Sequence, residues 1–262
     1  MERRLSPRND AVYLSISQIH DDALVSRDLR VSAGAPLVRG DGFGAGMFLR
    51  YATTWIDSDD LLSEPLVLHR FDLMVGGGAR LAPGWSLRGA VGVTYASDLH
   101  LHELVSDPFQ LTVAALVRHP AGPSDAWIAG VAYTSSGSLY PVLPTLGYVH
   151  QRAGSPFRFD ALLPHHVRVV YDLTPRLYGA LGIEVHGDKW SVRGMRQILD
   201  TRRDGGAVLG ELGVAALGAL HVEGRLGLSV DRYVLPDAMT DTTQRLSLRP
   251  AAFAQLLAVV AQ

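Results

Sequence analysis

The stretch L-H-V-E-G-R-L-G-L-S-V-D at residues 220–231 alternates strictly between two classes of side chain. Even positions carry leucine and valine with one glycine, whereas odd positions carry histidine, glutamate, arginine, serine and aspartate with one glycine. Because successive side chains of a β-strand point to opposite faces, this segment has one apolar and one charged face. A helix would spread the charges around its circumference, so the stretch predicts a strand.

The same alternation recurs along the chain, for example at residues 43–55, 85–95 and 109–117. Short connections are expected near residues 39–42, 82–84, 119–125, 152–156, 174–176 and 218–219, and mostly longer ones lie between them. Short turns at one end and long loops at the other are typical of outer-membrane barrels. We therefore predict an all-β, antiparallel, up-and-down transmembrane β-barrel of about 14 strands, or about 12 if residues 157–173 form one bent strand.

These patterns also set the expected boundaries. Residues 11–262 are predicted to form a single β-barrel domain after an N-terminal segment at residues 1–10. Polar stretches at residues 20–28 and 187–205 are predicted to be loops, the second being the longest. The tail at residues 244–262 is apolar but alternates poorly.

Composition excludes several classes of protein. The 262 residues carry a formal net charge of −2 without a basic block, so nucleic acid is not an expected partner. Cysteine is absent, which rules out disulfides and thiolate metal sites. Charged residues make up 19%, below the roughly 25% usual in soluble domains. The longest apolar segment, at residues 251–261, is well short of the ~20 residues that a spanning helix needs.

The apolar strand faces can point inward, as in a soluble fold, or outward to lipid. Trp85 and Tyr95 stand at the two ends of one apolar face, roughly 25 Å apart along a membrane normal for a strand tilted near 40°. Aromatic rings at both ends of a lipid-facing band form an interfacial girdle. The predicted girdle comprises Phe43, Trp55, Trp85, Tyr95, Trp127 and Tyr133. Filling of a soluble core by large aromatics is the alternative.

The faces opposite the apolar ones are predicted to line the lumen. Their charged residues are Arg70, Asp72, Arg80, Arg88, Arg118, Arg158, Asp160, Arg168, Asp172, Glu184, Glu211, Glu223, Arg225 and Asp231. A pore selective for one sign of ion favours rings of a single charge. Both signs occur here in similar numbers, which favours cross-strand ion pairs and a narrow or plugged passage.

No pattern indicates catalysis, a metal or a cofactor. His100, His102 and Glu103 have ligand-like spacing but sit in a predicted loop without a third ligand partner. His165 and His166 invite a hydrolase interpretation, yet Ser135, Ser136 and Ser138 are equally well explained as loop residues. The glycines at residues 76–78 lack the lysine and following helix of a phosphate loop, and in a strand they mark a bend or a close backbone approach.

Two segments resemble a family of uncharacterised bacterial outer-membrane β-barrel proteins, a domain of unknown function. They are P-V-L-P-T-L-G-Y at residues 141–148 and F-R-F-D-A-L-L-P at residues 157–164, followed by the strand of Tyr171. The resemblance covers roughly residues 30–235 and implies fold and location, with no activity to transfer. Barrels of this kind usually end in an aromatic residue and begin with a leader, whereas this sequence ends V-V-A-Q and shows no signal peptide.

We therefore expect an integral barrel of the bacterial outer membrane, of structural or transport type, without a catalytic site. Its expected partners are the lipid bilayer and a possible small solute. An outer-membrane lipid hydrolase and a soluble β-sandwich or lipocalin-like binder are the alternatives.

Overall fold

The computed structural model describes residues 11–21, 24–58, 62, 65–99, 108–135, 141–193, 198–215, 220–237, 242–247 and 249–261. Its strands are β1 (Ala11–Asp21), β2 (Leu24–Gly40), β3 (Phe43–Asp57), β4 (Leu66–Ala82), β5 (Trp85–Ser97), β6 (Phe109–Pro120), β7 (Asp125–Thr134), β8 (Val142–Gln151), β9 (Phe157–Leu163), β10 (His166–Asp172), β11 (Leu177–Arg193), β12 (Ile198–Ala215), β13 (Leu220–Asp237), β14 (Thr242–Ser247) and β15 (Ala251–Ala261). No helix in the described ranges is long and apolar enough to span a membrane.

The strands close into one antiparallel barrel. Each strand from β1 to β12 pairs with its sequence neighbours, β12 pairs with β13, and β15 returns to β1. β14 and β15 follow one another along the same edge of β13, so they occupy one place in the ring. The described residues thus form a closed barrel with 14 strand positions, which confirms the predicted fold class.

One local prediction is wrong, and one open alternative is decided. Residues 157–173 form two strands, β9 and β10, that pair with each other, which agrees with the preferred count of about 14 strands and excludes the single bent strand. Residues 20–28 and 187–205, predicted as loops, belong mainly to long strands that extend beyond the apolar band. The poorly alternating tail forms β14 and β15 and closes the ring. In each case pairing with a neighbouring strand supplies an order that single-segment hydropathy does not reveal.

The barrel wall is apolar outside over most of its height. Leu226, Leu228 and Val230 of β13 are exposed, and Leu226 shows 69% of its surface. Between them Ser229 is fully buried, and the Arg225 side chain is 19% exposed. In residues 220–231 the apolar face is therefore the exposed one, and the charged face points into the barrel.

Polarity inverts at the end of the barrel opposite the short turns. There the inward side chains form a packed cluster, here called the apolar cap, made of Leu24, Ile56, Leu68, Ala96, Trp190, Val192, Tyr233 and Leu235. The outward positions nearby include five exposed charged residues: Arg27, Asp57, Asp204, Arg232 and Arg245. A face that is apolar inside and charged outside suits water, so the apolar band ends below the cap.

The β11–β12 hairpin completes the cap by crossing the mouth. Pairing between β10 and β11 ends at Glu184, but β11 continues to Arg193 alongside β12. Beyond Glu184 the free edge of β11 meets β5, where Ser191 pairs with Ser97 in a parallel bridge. The Gln110 side chain donates a hydrogen bond of 2.9 Å to the Lys189 carbonyl. The hairpin therefore spans from one wall of the barrel to the other.

Candidate functional site in the barrel lumen

Directly beneath the apolar cap lies a layer of buried ion pairs around Asp72. Its carboxylate accepts hydrogen bonds from Arg50 Nε at 2.6 Å and Arg70 Nε at 3.0 Å, and from the Thr94 hydroxyl. The Asp72 side chain is only 2% exposed. Because an unpaired buried charge is costly, the two arginines and the hydroxyl stabilise the buried carboxylate of Asp72.

A second cluster in the same layer is centred on Arg203. Its Nη1 donates to Asp28 at 2.9 Å, and its Nη2 lies 3.4 Å from Asp231. Thr54 also donates to Asp28 at 2.6 Å, and His186 Nε2 lies 2.6 Å from Asp231. These contacts join β12 to β2 and β13 through the interior.

Asp188 links the crossing hairpin to the opposite wall. Its carboxylate lies 2.5 Å from Arg70 Nη1 on β4 and 3.8 Å from Arg30 Nη2 on β2. Because β4 and β11 lie on opposite sides of the ring, this bridge crosses the lumen. The cap is therefore held by apolar packing above and by ion pairs below.

Nearer the middle of the barrel the charges form a further network around Glu211. Arg168 donates to Glu211, and Arg225 Nε lies 3.0 Å from it. Arg225 also lies 3.6 Å from Glu223, which accepts a 2.5 Å hydrogen bond from the Tyr178 hydroxyl. A cavity of about 200 Å³ and a larger one of about 800 Å³ adjoin this network, and Glu211 and Arg225 line both.

The predicted lumen-facing set divides into two groups. Most members contact an oppositely charged or a histidine side chain within the described residues: Arg70, Asp72, Arg158, Asp160, Arg168, Asp172, Glu184, Glu211, Glu223, Arg225 and Asp231. Arg80, Arg88 and Arg118 are exposed and form no ion pair with a described residue. The two signs of charge are balanced in number, but the three arginines near the short turns lie apart from the acids.

Sequence reasoning missed five residues of the ion-pair layer: Asp28, Arg30, Arg50, Asp188 and Arg203. Asp28, Asp188 and Arg203 fell in predicted loops. Arg50 stands opposite an apolar face in β3, so the alternation used for β13 could have identified it.

Aromatic side chains gather on the outer wall in two groups. Near the cap, the rings of Tyr51, Phe71, Tyr95 and Phe109 form a chain of contacts with centroid distances of 4.9, 6.4 and 5.2 Å. Near the short turns, Trp85 packs on His119 at 4.2 Å, and Trp127 packs on Tyr148 at 4.9 Å. Of the predicted girdle, Phe43, Trp55, Trp85, Trp127 and Tyr133 are exposed, and Tyr95 is half-buried within the first group.

The candidates for other chemistry are not brought together. His166 lies 3.4 Å from Asp160, whereas the Ser135 hydroxyl accepts a hydrogen bond from the Leu111 amide. Ser136, Ser138, His100, His102 and Glu103 lie outside the described residues. Within the described part of the chain there is no group of three or more metal-ligating side chains.

Comparison with known proteins gives no family or curated relative. No family model matches the chain, and no curated protein matches it. Similar solved structures include an outer membrane channel from Pseudomonas putida F1, with 11% identity, a TM-score of 0.48, and coverage of 96% of this chain and 94% of that chain. The KdgM porin in complex with disordered oligogalacturonate has 7% identity, a TM-score of 0.42, and coverage of 96% and 99%. LpxR from Salmonella typhimurium has 8% identity, a TM-score of 0.39, and coverage of 97% and 100%. The barrel architecture of this chain rests on its own strand pairing.

Proposed function

We propose that this chain is an integral β-barrel of the bacterial outer membrane, of the pore-like transport type, with its lumen closed in the conformation described. In this proposal residues 11–262 form one barrel domain that belongs to the uncharacterised outer-membrane family resembled by residues 141–148 and 157–164. The short turns face the periplasm, and the apolar cap faces outward. The partner is the lipid bilayer, and the cargo is a small solute.

The observation that carries the membrane assignment is the exposed apolar wall. Large apolar side chains are exposed around the ring, including Leu73 on β4, Val93 on β5 and Leu181 on β11. Soluble monomers rarely expose apolar patches above a few hundred Å². In a bilayer the same wall contacts acyl chains, and the two groups of aromatic side chains lie near the two headgroup regions.

The side chains packed inside one end of the barrel support a closed passage. An apolar cap and a buried ion-pair layer obstruct one end, whereas inward arginines at the other end are exposed. The crossing hairpin contacts the other strands through one backbone bridge, the Gln110 hydrogen bond, the ion pairs of Asp188 and Arg203, and the apolar packing of its tip in the cap. Movement of this hairpin is the simplest route to an open lumen, because the hairpin extends beyond β10.

No arrangement among the described residues favours the lipid-hydrolase alternative. His166 is paired with Asp160, and Ser135 is engaged by the Leu111 amide. A nucleophilic serine requires a base within hydrogen-bond reach. We expect His165→Ala and His166→Ala to leave any lipid hydrolysis by the purified protein unchanged, and loss of measured activity in either variant would favour the enzyme.

The test is a variant with a shortened hairpin. His186 and Gly205 are register partners, so an Asn-Gly turn can join them directly in place of residues 187–204. Refolding into lipid vesicles, followed by heat-modifiable migration on gels, reports barrel formation. In planar bilayers we expect weak conductance from the wild type and a clear rise from the shortened variant. A folded variant that conducts no better than the wild type would contradict the pore-like assignment.

A further inference from the structure

Four arginines near the short turns differ from the other inward arginines of the barrel. Arg39, Arg80, Arg88 and Arg118 are exposed, and none forms an ion pair with a described residue. Asp41, the acid in the β2–β3 turn, is also exposed and does not pair with them in the described structure. Elsewhere in the lumen arginines such as Arg70 and Arg203 are held by carboxylates. The chain therefore leaves one group of cations without acids.

Strand register places these arginines together on one wall. Arg39 pairs with Gly44, Gly44 with Gly78, and Gly78 with Arg88, so two glycines separate two arginines in one row. The next row toward the turns contains Arg80 and Arg118 on either side of Ser86. With a strand spacing of about 4.8 Å, the Cα atoms of Arg80 and Arg118 lie roughly 10 Å apart. We call these four residues the arginine mouth.

The glycines make a low floor between the arginines. A Cβ at Gly78 would lie 3.3 Å from Arg88 Cγ, so the stem of Arg88 passes over this glycine. A Cβ at Gly44 would meet nothing closer than the Val38 carbonyl at 3.6 Å, which leaves the space above it open. Gly44 and Gly78 thus leave room between the cationic side chains of Arg39 and Arg88.

We propose that the arginine mouth binds a soluble solute that carries two or more carboxylate, phosphate or sulfate groups. Because four like charges lie close together on one wall, an anion shared between them is attracted by more than one arginine at a time. Guanidinium groups bind carboxylate and phosphate oxygens through paired, charge-assisted hydrogen bonds. The inference rests on the proposed function, since it gives the solute class that enters from the periplasmic end.

Citrate binding to the folded protein in a neutral detergent tests the site without a membrane. Isothermal titration at low ionic strength compares the wild type with the triple variant Arg80→Gln, Arg88→Gln and Arg118→Gln. The control variant Arg27→Gln, Arg232→Gln and Arg245→Gln makes the same charge change at exposed positions near the cap. We expect citrate affinity to fall about tenfold or more in the first variant, because each charge-assisted contact is worth about one decade, and to change little in the control.

A second variant distinguishes citrate binding that depends on the space between the arginines from attraction by their positive charge alone. Gly44→Leu keeps all four arginines and fills the floor between Arg39 and Arg88. We expect it to weaken citrate binding to a similar extent. Citrate binding equal to that of the wild type in this variant, or equal losses in the two triple variants, would overturn the proposal.

A further arm distinguishes a solute from a lipid headgroup. Short-chain phosphatidylglycerol carries a single phosphate and should bind more weakly than citrate. Binding of this lipid without binding of citrate would reject the solute. Because citrate titration needs no conductance, it remains informative if the pore-like function fails, and citrate binding with absent conductance would separate the two claims.

Discussion

At the scale of single residues, burial decides what each charge contributes. Arg203 is 4% exposed and contacts both Asp28 and Asp231. Lys189 pairs with Asp200 at 2.8 Å, but Asp200 is 46% exposed. A surface pair gains little because water screens it, whereas a broken buried pair leaves a charge without solvent.

We therefore expect Arg203→Met to lower the free energy of unfolding by about 3–5 kcal/mol. The matched change Lys189→Met also removes one cation and should cost about 0–1 kcal/mol. Urea titrations of protein folded in lipid vesicles, followed by tryptophan fluorescence, measure both. Equal small losses would mean that the ion-pair layer is hydrated.

The outer wall gives a second prediction at this scale. Leu226 is 69% exposed on β13, and Leu226→Arg should reduce the free energy of folding into vesicles by about 2–4 kcal/mol if it lies near the bilayer midplane. Leu226→Phe keeps the position apolar and serves as the control. A soluble protein would tolerate the arginine, so unimpaired folding of Leu226→Arg would contradict the membrane assignment.

At the scale of elements, the β11–β12 hairpin is the element that departs most from a simple barrel wall. Its lower part is barrel wall, and its upper part crosses to β5 and contributes Trp190 and Val192 to the apolar cap. The contact with β5 is a single bridge, so most of the crossing is held by side chains. The proposed function requires this upper part to move away from β5 while the barrel remains closed below it.

A disulfide between the upper part of the hairpin and β5 tests whether the hairpin is the moving part. Ser97 and Ser191 are bridge partners and both fully buried, and the chain has no cysteine that could interfere. Their Cα atoms should be about 4.8 Å apart, which is within the range of a disulfide. We expect Ser97→Cys with Ser191→Cys to suppress channel openings in bilayers when oxidised and to release them on reduction. Ser97→Cys alone is the control, and openings unaffected by oxidation would exclude the hairpin as the moving part.

At the scale of the whole molecule, the obstructions lie in series along the axis. The narrowest section limits conductance, so removing charge from the middle network should not open a lumen that the cap closes. We expect Glu223→Ser with Arg225→Ser to conduct as weakly as the wild type. The same pair of changes should raise conductance in the hairpin-shortened variant. A rise in the full-length protein would place the limiting constriction at Glu211 and its partners.

The sequence by itself determined the barrel and which face of each wall strand is apolar. Alternation is a local property with a period of two, so residues 220–231 predicted a strand whose apolar face is the exposed one. The rhythm of short and long connections likewise predicted an up-and-down ring. Arg225 lies near Glu211 of β12 and Glu184 of β11, the partners that hairpin order made reachable, whereas the ion pair of Glu223 is with Arg225 on the same strand.

Only the tertiary structure decided what closes the lumen. Arg203 and Asp28 are 175 residues apart in sequence, and their contact depends on how far the strands are staggered around the ring. The inversion of polarity above Val230 becomes evident only where several strands pack their inward apolar side chains into one cap, which no single strand specifies. By sequence alone, Arg80, Arg88 and Arg118 cannot be distinguished from the inward arginines that form ion pairs. Their lack of carboxylates emerges only when the strand register places glycines and serine beside them.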